Sequence, residues 1–283
     1  MQKCKSRHFI VQEGRPSAAI VQSTAPEPME TLAACELQCY VEKLTGVLLP
    51  IIEWPGSASQ YQTLLCVGHP DRLQLAGEAI GRAFDLGALK PDSYVIHTGV
   101  MEGSAVMALS GREPIGTLYA VYHLLEMLGV TFLLTGDLLP EPVSSLSAPD
   151  LSRAFEPAFS RRGFLIPLIN LHSSMLSLSD YQQLIEQMVK LRLNYLSFFS
   201  SVPEPWAEYT FRGEKNLLGD VNSMESGYLR PKLNLPDVST RQVRIGARHF
   251  EGREKMAPPE MEDVRSQEEA HRRFSRLMQA VFR

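Results

Sequence analysis

The residues best placed to do chemistry together lie after position 160. Arg162 stands near the start of the apolar run SRRGFLIPLIN (160–170), and Asn170 and His172 follow that strand. A guanidinium donates several planar hydrogen bonds from a fixed charge, so Arg162 can hold a polar ligand. Paired with a local carboxylate, it would only brace a strand end. Asn170 and His172 could line the rim of a pocket or hydrogen-bond their own loop. Trp206 and Tyr209 follow. Their ring faces could form a platform for a ligand or pack the loop that carries them. Glu214 and Asp220 are the nearest thing to a pair of acids. Such a pair does acid–base work when one carboxyl is held protonated and the other ionised. Charged loop residues are more often simply solvated, and His249 and Arg253-Glu254-Lys255 are ambiguous in the same way.

Other chemistries lack their residues. The cysteines stand at 4, 35, 39 and 66. Cys35 and Cys39 share a helix face but have no second pair and no histidine at ligand spacing, so they read as free thiols and no metal or cofactor is expected. No phosphate-binding loop, dinucleotide-binding glycine pattern, zinc-protease helix or nucleophile-elbow motif occurs. Lys+Arg number 28 and Asp+Glu 32, a net charge of −4, so nucleic acid is not an expected partner. No apolar run is long enough to span a membrane. The first fifteen residues are basic without a following apolar core, which predicts no secretory signal and a cytoplasmic location.

These side chains must be positioned by a chain of 283 residues, 44% of them hydrophobic, long enough for two domains and a sizeable core. The first part alternates strands and helices. HFIVQ (8–12) and AAIVQS (18–23) read as strands around a Gly14/Pro16 turn. Pro26 and Pro28 open a helix over about 29–44 that Gly46 stops. VLLPIIEW is a strand interrupted by Pro50, and TLLCVG (63–68) suits a buried strand. Asp71 is placed to cap a helix reaching about Phe84. SYVIHTG (93–99) and SAVMALSG (104–111) form an expected hairpin. A strong helix follows, with Leu118, Val121, Tyr122, Leu125 and Leu128 as its apolar stripe and Gly129 at its end. TFLLTGDLLPEP reads as a strand leading out. Residues 141–154, rich in Ser and Pro, have the composition of a linker, and the domain boundary is set there, between 1–150 and 151–283.

The second part opens with the strand 160–170. A helix over 181–193 is capped by Ser179-Asp180, with Leu184, Met188 and Leu191 on one face. The run LNYLSFFS (193–200) returns as a parallel strand. Strand, helix and strand make a βαβ unit with a right-handed crossover. Residues 201–250 hold only short apolar runs. A long insertion after a strand is where α/β enzymes place their sites. After Pro258-Pro259, a helix is expected from near Ser266, with Glu269 three residues later. Phe274, Leu277, Met278, Val281 and Phe282 form its apolar side.

Two of these stretches resemble a known group of proteins. LAACELQCYVEKLTGVLLPI, LLCVGHP, SYVIHTG and REPIGTLYAVYHLLEMLGVTFLL, in that order, resemble the small α/β domain that precedes the barrel in glycoside hydrolases of the α-glucuronidase and β-N-acetylhexosaminidase types. SRRGFLIPLINLHSSMLSLSDYQQLIEQMVKLRLNYLSFF resembles the first strand, helix and second strand of their catalytic (β/α)₈ barrel. The resemblance implies hydrolysis of O-glycosyl bonds in a carbohydrate substrate. It places Arg162 where those enzymes keep an arginine for sugar hydroxyls, and Asn194 at a strand-start asparagine. The acid expected after the first strand is replaced by Leu165-Ile166-Pro167, and a polar strand end by Phe198-Phe199-Ser200.

The resemblance also sets a length problem. A (β/α)₈ barrel takes about 250 residues, and 159–283 supplies 125. The expected architecture is therefore a small α+β accessory domain, its sheet covered by helices, followed by an incomplete (β/α)₈ barrel. The expected function is that of the N-terminal portion of a glycoside hydrolase, inactive alone because the catalytic carboxylates come from later strands. The alternative is a non-catalytic carbohydrate-binding or interaction module. An unclosed sheet edge would offer a route to a homo-oligomer.

Overall fold

The structure is a computed structural model that describes residues 7–54, 60–81, 83–101, 103–165, 177–197, 208–212, 214–217, 260 and 267–281. Among them no helix is long and apolar enough to cross a membrane. The chain divides into two compact units. The first is Met1–Arg161 with Val189–Arg192, and the second is Arg162–Met188 with Leu193–Arg283.

The first unit is built on a six-stranded sheet. Its strands are β3 (Ala18–Gln22), β4 (Ile51–Glu53), β5 (Thr63–Val67), β6 (Tyr94–Met101), β7 (Ser104–Gly111) and β11 (Ser152–Phe155). Their spatial order is β11-β6-β7-β5-β3-β4. β4, β3, β5 and β7 run parallel, while β6 is antiparallel to β7 and to β11. β3 and β5 are buried at every position, as strands covered on both faces must be. Alternate side chains serve two separate cores. Ile20, Leu65, Val67, Met107 and Leu109 face α1 (Pro28–Thr45) and α3 (Pro114–Met127). Val21, Leu64, Cys66, Val106 and Ala108 face α2 (Gln74–Ile80).

α3 is pressed against the sheet at its start. A Cβ added to Gly116 would lie 2.5 Å from the Ser93 carbonyl oxygen and 2.9 Å from Gly111 Cα. The Thr117 hydroxyl accepts a hydrogen bond from the Gly111 amide at 3.0 Å. The Gly-Thr of the sequence motif is therefore the contact that docks this helix. All five residues of the expected stripe are buried.

Three local expectations are corrected. The 141–154 stretch contributes two strands. β10 (Leu146–Pro149) pairs antiparallel with β1 (Arg7–Gln12), which also pairs with β2 (Arg15–Pro16), and β11 extends the main sheet. The run after α3 is a hairpin of β8 (Thr131–Leu133) and β9 (Gly136–Leu138), not a single strand leading out. Asp71 caps nothing: a turn over 69–73 intervenes, with the Arg72 and Leu73 amides donating to the His69 carbonyl, and α2 starts beyond it with Leu73 as N-cap.

In the second unit, β12 (Gly163–Leu165) and β13 (Tyr195–Ser197) pair in parallel, with α4 (Leu178–Lys190) between them in sequence. The expected βαβ order is present. Within 201–250, β14 (Glu208–Phe211) and β15 (Glu214–Leu217) form an antiparallel hairpin. The last helix, α5, spans Gln267–Val281, with Leu277 and Met278 buried. The described residues of this unit contain two parallel strands and no closed ring.

Candidate functional site

Arg162 immediately precedes β12, and its backbone is tied to the start of β13. Its amide donates to Asn194 Oδ1 at 2.8 Å, and its carbonyl accepts from the Asn194 and Tyr195 amides at 2.7 and 3.0 Å. Asn194 is thus a clasp between the amino ends of two parallel strands, a structural role. Gly163 passes so close to the Tyr195 carbonyl that a Cβ would overlap it. The Arg-Gly pair is a crossing point. Ligands of α/β sheets gather beyond the carboxyl ends of parallel strands, the edge opposite to the one where the Arg162 backbone stands.

The carboxyl ends of β12 and β13 lead into segments outside the described residues. Asn170, His172 and Trp206 lie there, as do Asp220 and His249. Tyr209 is in β14, opposite Asn216, and Glu214 opens β15, opposite Phe211. The structure therefore places Tyr209 and Glu214 on one hairpin. It does not bring any two of the expected ligand contacts together among the described residues.

A tighter polar cluster lies in the first unit, at the carboxyl ends of β3 and β5. β3 leads to α1 on one face of the sheet, whereas the adjacent β5 leads to α2 on the other. A crevice opens where neighbouring strands part in this way. Here Glu30, in the first turn of α1, fills it and is 1% exposed. Arg72 grips its carboxylate through Nη2 to Oε1 at 2.7 Å and Nε to Oε2 at 3.1 Å. The His69 amide donates to Oε1 at 2.7 Å and the Glu27 amide to Oε2 at 2.9 Å. Gln22, the last residue of β3, donates to the Glu30 carbonyl at 2.9 Å. Burial pushes the Glu30 carboxyl upward, but Arg72 and the two amides outweigh it and hold the group below the ordinary carboxylate value.

Sequence reasoning missed this cluster. Glu30 reads as one more acid in a first helical turn, and the arginine that makes it a buried ion pair comes 42 residues later. The visible signal was the Glu27-x-x-Glu30 spacing after Pro26, which matches a reciprocal cap.

At the opposite edge of the same sheet, a cavity of about 430 Å³ is lined by Gln12, Glu13, Arg15, Ser17, Gln60 and Gln62. Cys35, Cys39 and Cys66 are free thiols. Cys35 is exposed, whereas burial pushes the Cys66 thiol far up from its ordinary value. Among the described residues, no three His, Cys, Asp or Glu side chains come together as metal ligands.

No known family profile and no curated protein matches the sequence. Among solved structures, the chain is similar to a family GH115 4-O-methyl-α-glucuronidase with specificity for decorated arabinogalactans, at 16% identity and a TM-score of 0.48, covering 67% of this chain and 25% of that one. It is similar to a chitobiase of Flavobacterium johnsoniae at 12% identity and a TM-score of 0.43, covering 71% and 26%. It is also similar to a Streptomyces plicatus β-hexosaminidase bound to its GlcNAc product, at 14% identity and a TM-score of 0.44, covering 71% and 33%. The chain spans a quarter to a third of the length of these glycoside hydrolases. At TM-scores below 0.5, the likeness fixes neither a fold nor an activity for this chain.

Proposed function

We propose that this chain is part of a glycoside hydrolase acting on O-glycosyl bonds, with an accessory α/β domain followed by the first elements of a catalytic barrel. The observation that supports this reading most is the parallel β12-α4-β13 unit directly after a helix-covered α/β sheet. That is the order of the sequence stretches that resemble such enzymes. Substrate contact is assigned to the segments beyond the carboxyl ends of β12 and β13, and so to Asn170, His172 and Trp206, with Tyr209 on the adjoining hairpin. Arg162, whose backbone stands at the amino ends, is the weakest of the five proposed contacts. The catalytic acids of a glycosidase flank the scissile bond at about 5–5.5 Å when retaining and about 6.5–9.5 Å when inverting. No pair of that kind is assigned in this chain, and the proposed reading has it inactive alone.

The test uses the two tryptophans, Trp54 and Trp206. In a Trp54→Phe background, N-acetylglucosamine or glucuronate is expected to change Trp206 fluorescence. A panel of nitrophenyl glycosides is expected to show no turnover. Turnover that Glu214→Gln abolishes would move the catalytic site into the hairpin and overturn the proposed division of labour. No fluorescence response to any sugar would remove substrate binding from this chain. Sugar binding with no turnover, retained when the remainder of a barrel is supplied, would favour a non-catalytic binding module.

A further inference from the structure

We propose that the crevice between the carboxyl ends of β3 and β5 is a carboxylate-binding site which the protein fills with its own Glu30. Three separate segments aim donors at one point. The loop after β5 supplies the His69 amide, the following turn supplies the Arg72 fork, and the start of α1 supplies the Glu27 amide. Together they make four hydrogen bonds of 2.7–3.1 Å to the two oxygens of one carboxylate. An arginine fork and converging backbone amides are how proteins hold bound oxyanions. The Glu30 carboxylate also lies at the floor of the crevice, where a Cβ on Gly68 would come within 3.8 Å of Cδ and Oε1. An acid that merely capped its helix would need the Glu27 amide alone. The other three bonds come from beyond α1.

The occupant is tethered to the crevice wall by two methylene groups. The place where open α/β sheets receive their ligands is therefore closed in this domain from within. The domain acts there as a scaffold, and a free carboxylate could enter only if the tethered one were removed. The Arg72 side chain is 32% exposed, with Glu27 Oε1 3.8 Å from its other terminal nitrogen.

Glu30→Ala deletes the equivalent of one acetate ion and leaves all four donors in place. The 283-residue Glu30→Ala protein should melt well below the wild type. Acetate should raise its melting temperature by about 3–6 °C at a tenfold excess over its dissociation constant. The same acetate should leave the wild type unmoved. Chloride at equal ionic strength, and the bulkier pivalate, should leave Glu30→Ala unmoved. If Glu30→Ala does not fold unaided, its refolding yield with and without acetate is the reading, and a gain specific to acetate carries the same meaning. An acetate response equal to that of the wild type, or equal to that of chloride, would overturn the proposal: the donors would then have dispersed, and the cluster would be an ion pair and a cap with no site beneath them.

Discussion

Glu30 shows how much one buried charge can decide. Its carboxyl is held below the ordinary value, so the folded state binds its proton less readily than the unfolded chain does. The stabilisation is therefore complete above the unfolded carboxylate value of 4.5 and is lost as pH falls through the lower, folded value. Glu30→Gln keeps the shape and removes the charge, and should cost about 2–4 kcal/mol at neutral pH by urea unfolding. The difference between the two proteins should shrink as pH falls below 4.5, because the unfolded wild-type chain then takes up a proton that the folded carboxyl still resists. A gap that stays constant down to pH 3 would mean that the charge contributes nothing. Glu27 and Asp71, both near Arg72, and the His69 ring are the other titratable groups facing this cluster, so a Glu27→Gln/Asp71→Asn background isolates the Glu30 effect. Burial of this kind is hard to read from sequence, because it depends on which distant loop returns to the helix start. The opposite holds for Asn194. The resemblance places it at a strand start, and its side chain accepts there from the Arg162 amide. Asn194→Ala should lower stability by about 1 kcal/mol, the usual net worth of such a bond.

Elements were legible where their pattern was local. The helix over 114–127 and the hairpin 94–111 announce themselves by the pattern of their apolar residues, and both form as expected. The 146–155 stretch fails that test for a physical reason. Its fully buried residues are only Leu146 and Ala148, with Leu151 and Phe155 half-buried against the same core, a spacing too irregular to stand out from the surrounding Ser and Pro. Its partners, β1 and β6, lie far away in sequence. Polar clamps then hold it, with His8 Nε2 2.6 Å from Asp150 Oδ1 and His97 Nδ1 2.7 Å from the Ser152 hydroxyl. A true linker would be cut readily by trypsin at Arg153. The paired β11 should resist under native conditions, with cleavage there appearing only as the first unit unfolds. A rapid native cut at Arg153 would restore the linker. The docking of α3 gives a second measurement. Gly116→Ala forces a Cβ onto the Ser93 carbonyl and the Gly111 backbone, neither of which is a flexible side chain. The expected loss is about 1–3 kcal/mol in urea.

At the scale of the whole molecule, the boundary between compact units is not a single cut in the chain. Sequence periodicity puts Leu184, Met188 and Leu191 on one helix face but cannot say which core each one joins. Met188 falls in the second unit, while Val189–Arg192 belongs to the first, with Val189 and Leu191 packed at the edge of its larger core. Charge fixes this short segment as well. Lys190 Nζ lies 2.9 Å from Asp137 Oδ2, the same oxygen that accepts the Tyr40 hydroxyl. The Lys190 ammonium also stands 5.7 Å from the Tyr40 ring centroid and 6.0 Å from that of Phe132. Arg192 pairs with Glu126 on α3 through both terminal nitrogens. Both pairs are partly shielded from water, so removing the cations leaves Asp137 held by the Tyr40 hydroxyl and Glu126 without its arginine. Lys190→Ala combined with Arg192→Ala should destabilise the first unit by about 2–3 kcal/mol, between the range for exposed pairs and that for fully buried ones. Trp54 can report this alone in a Trp206→Phe background. Its urea midpoint should fall in the double variant, although both substitutions lie well over a hundred residues from it in sequence. A Lys190→Met variant, which keeps most of the apolar stem against Tyr40 and Phe132, should fall less. If the Trp54 transition did not move in the double variant, the first unit would end at Arg161, and the segment 189–192 would be an appendage of the helix that carries it.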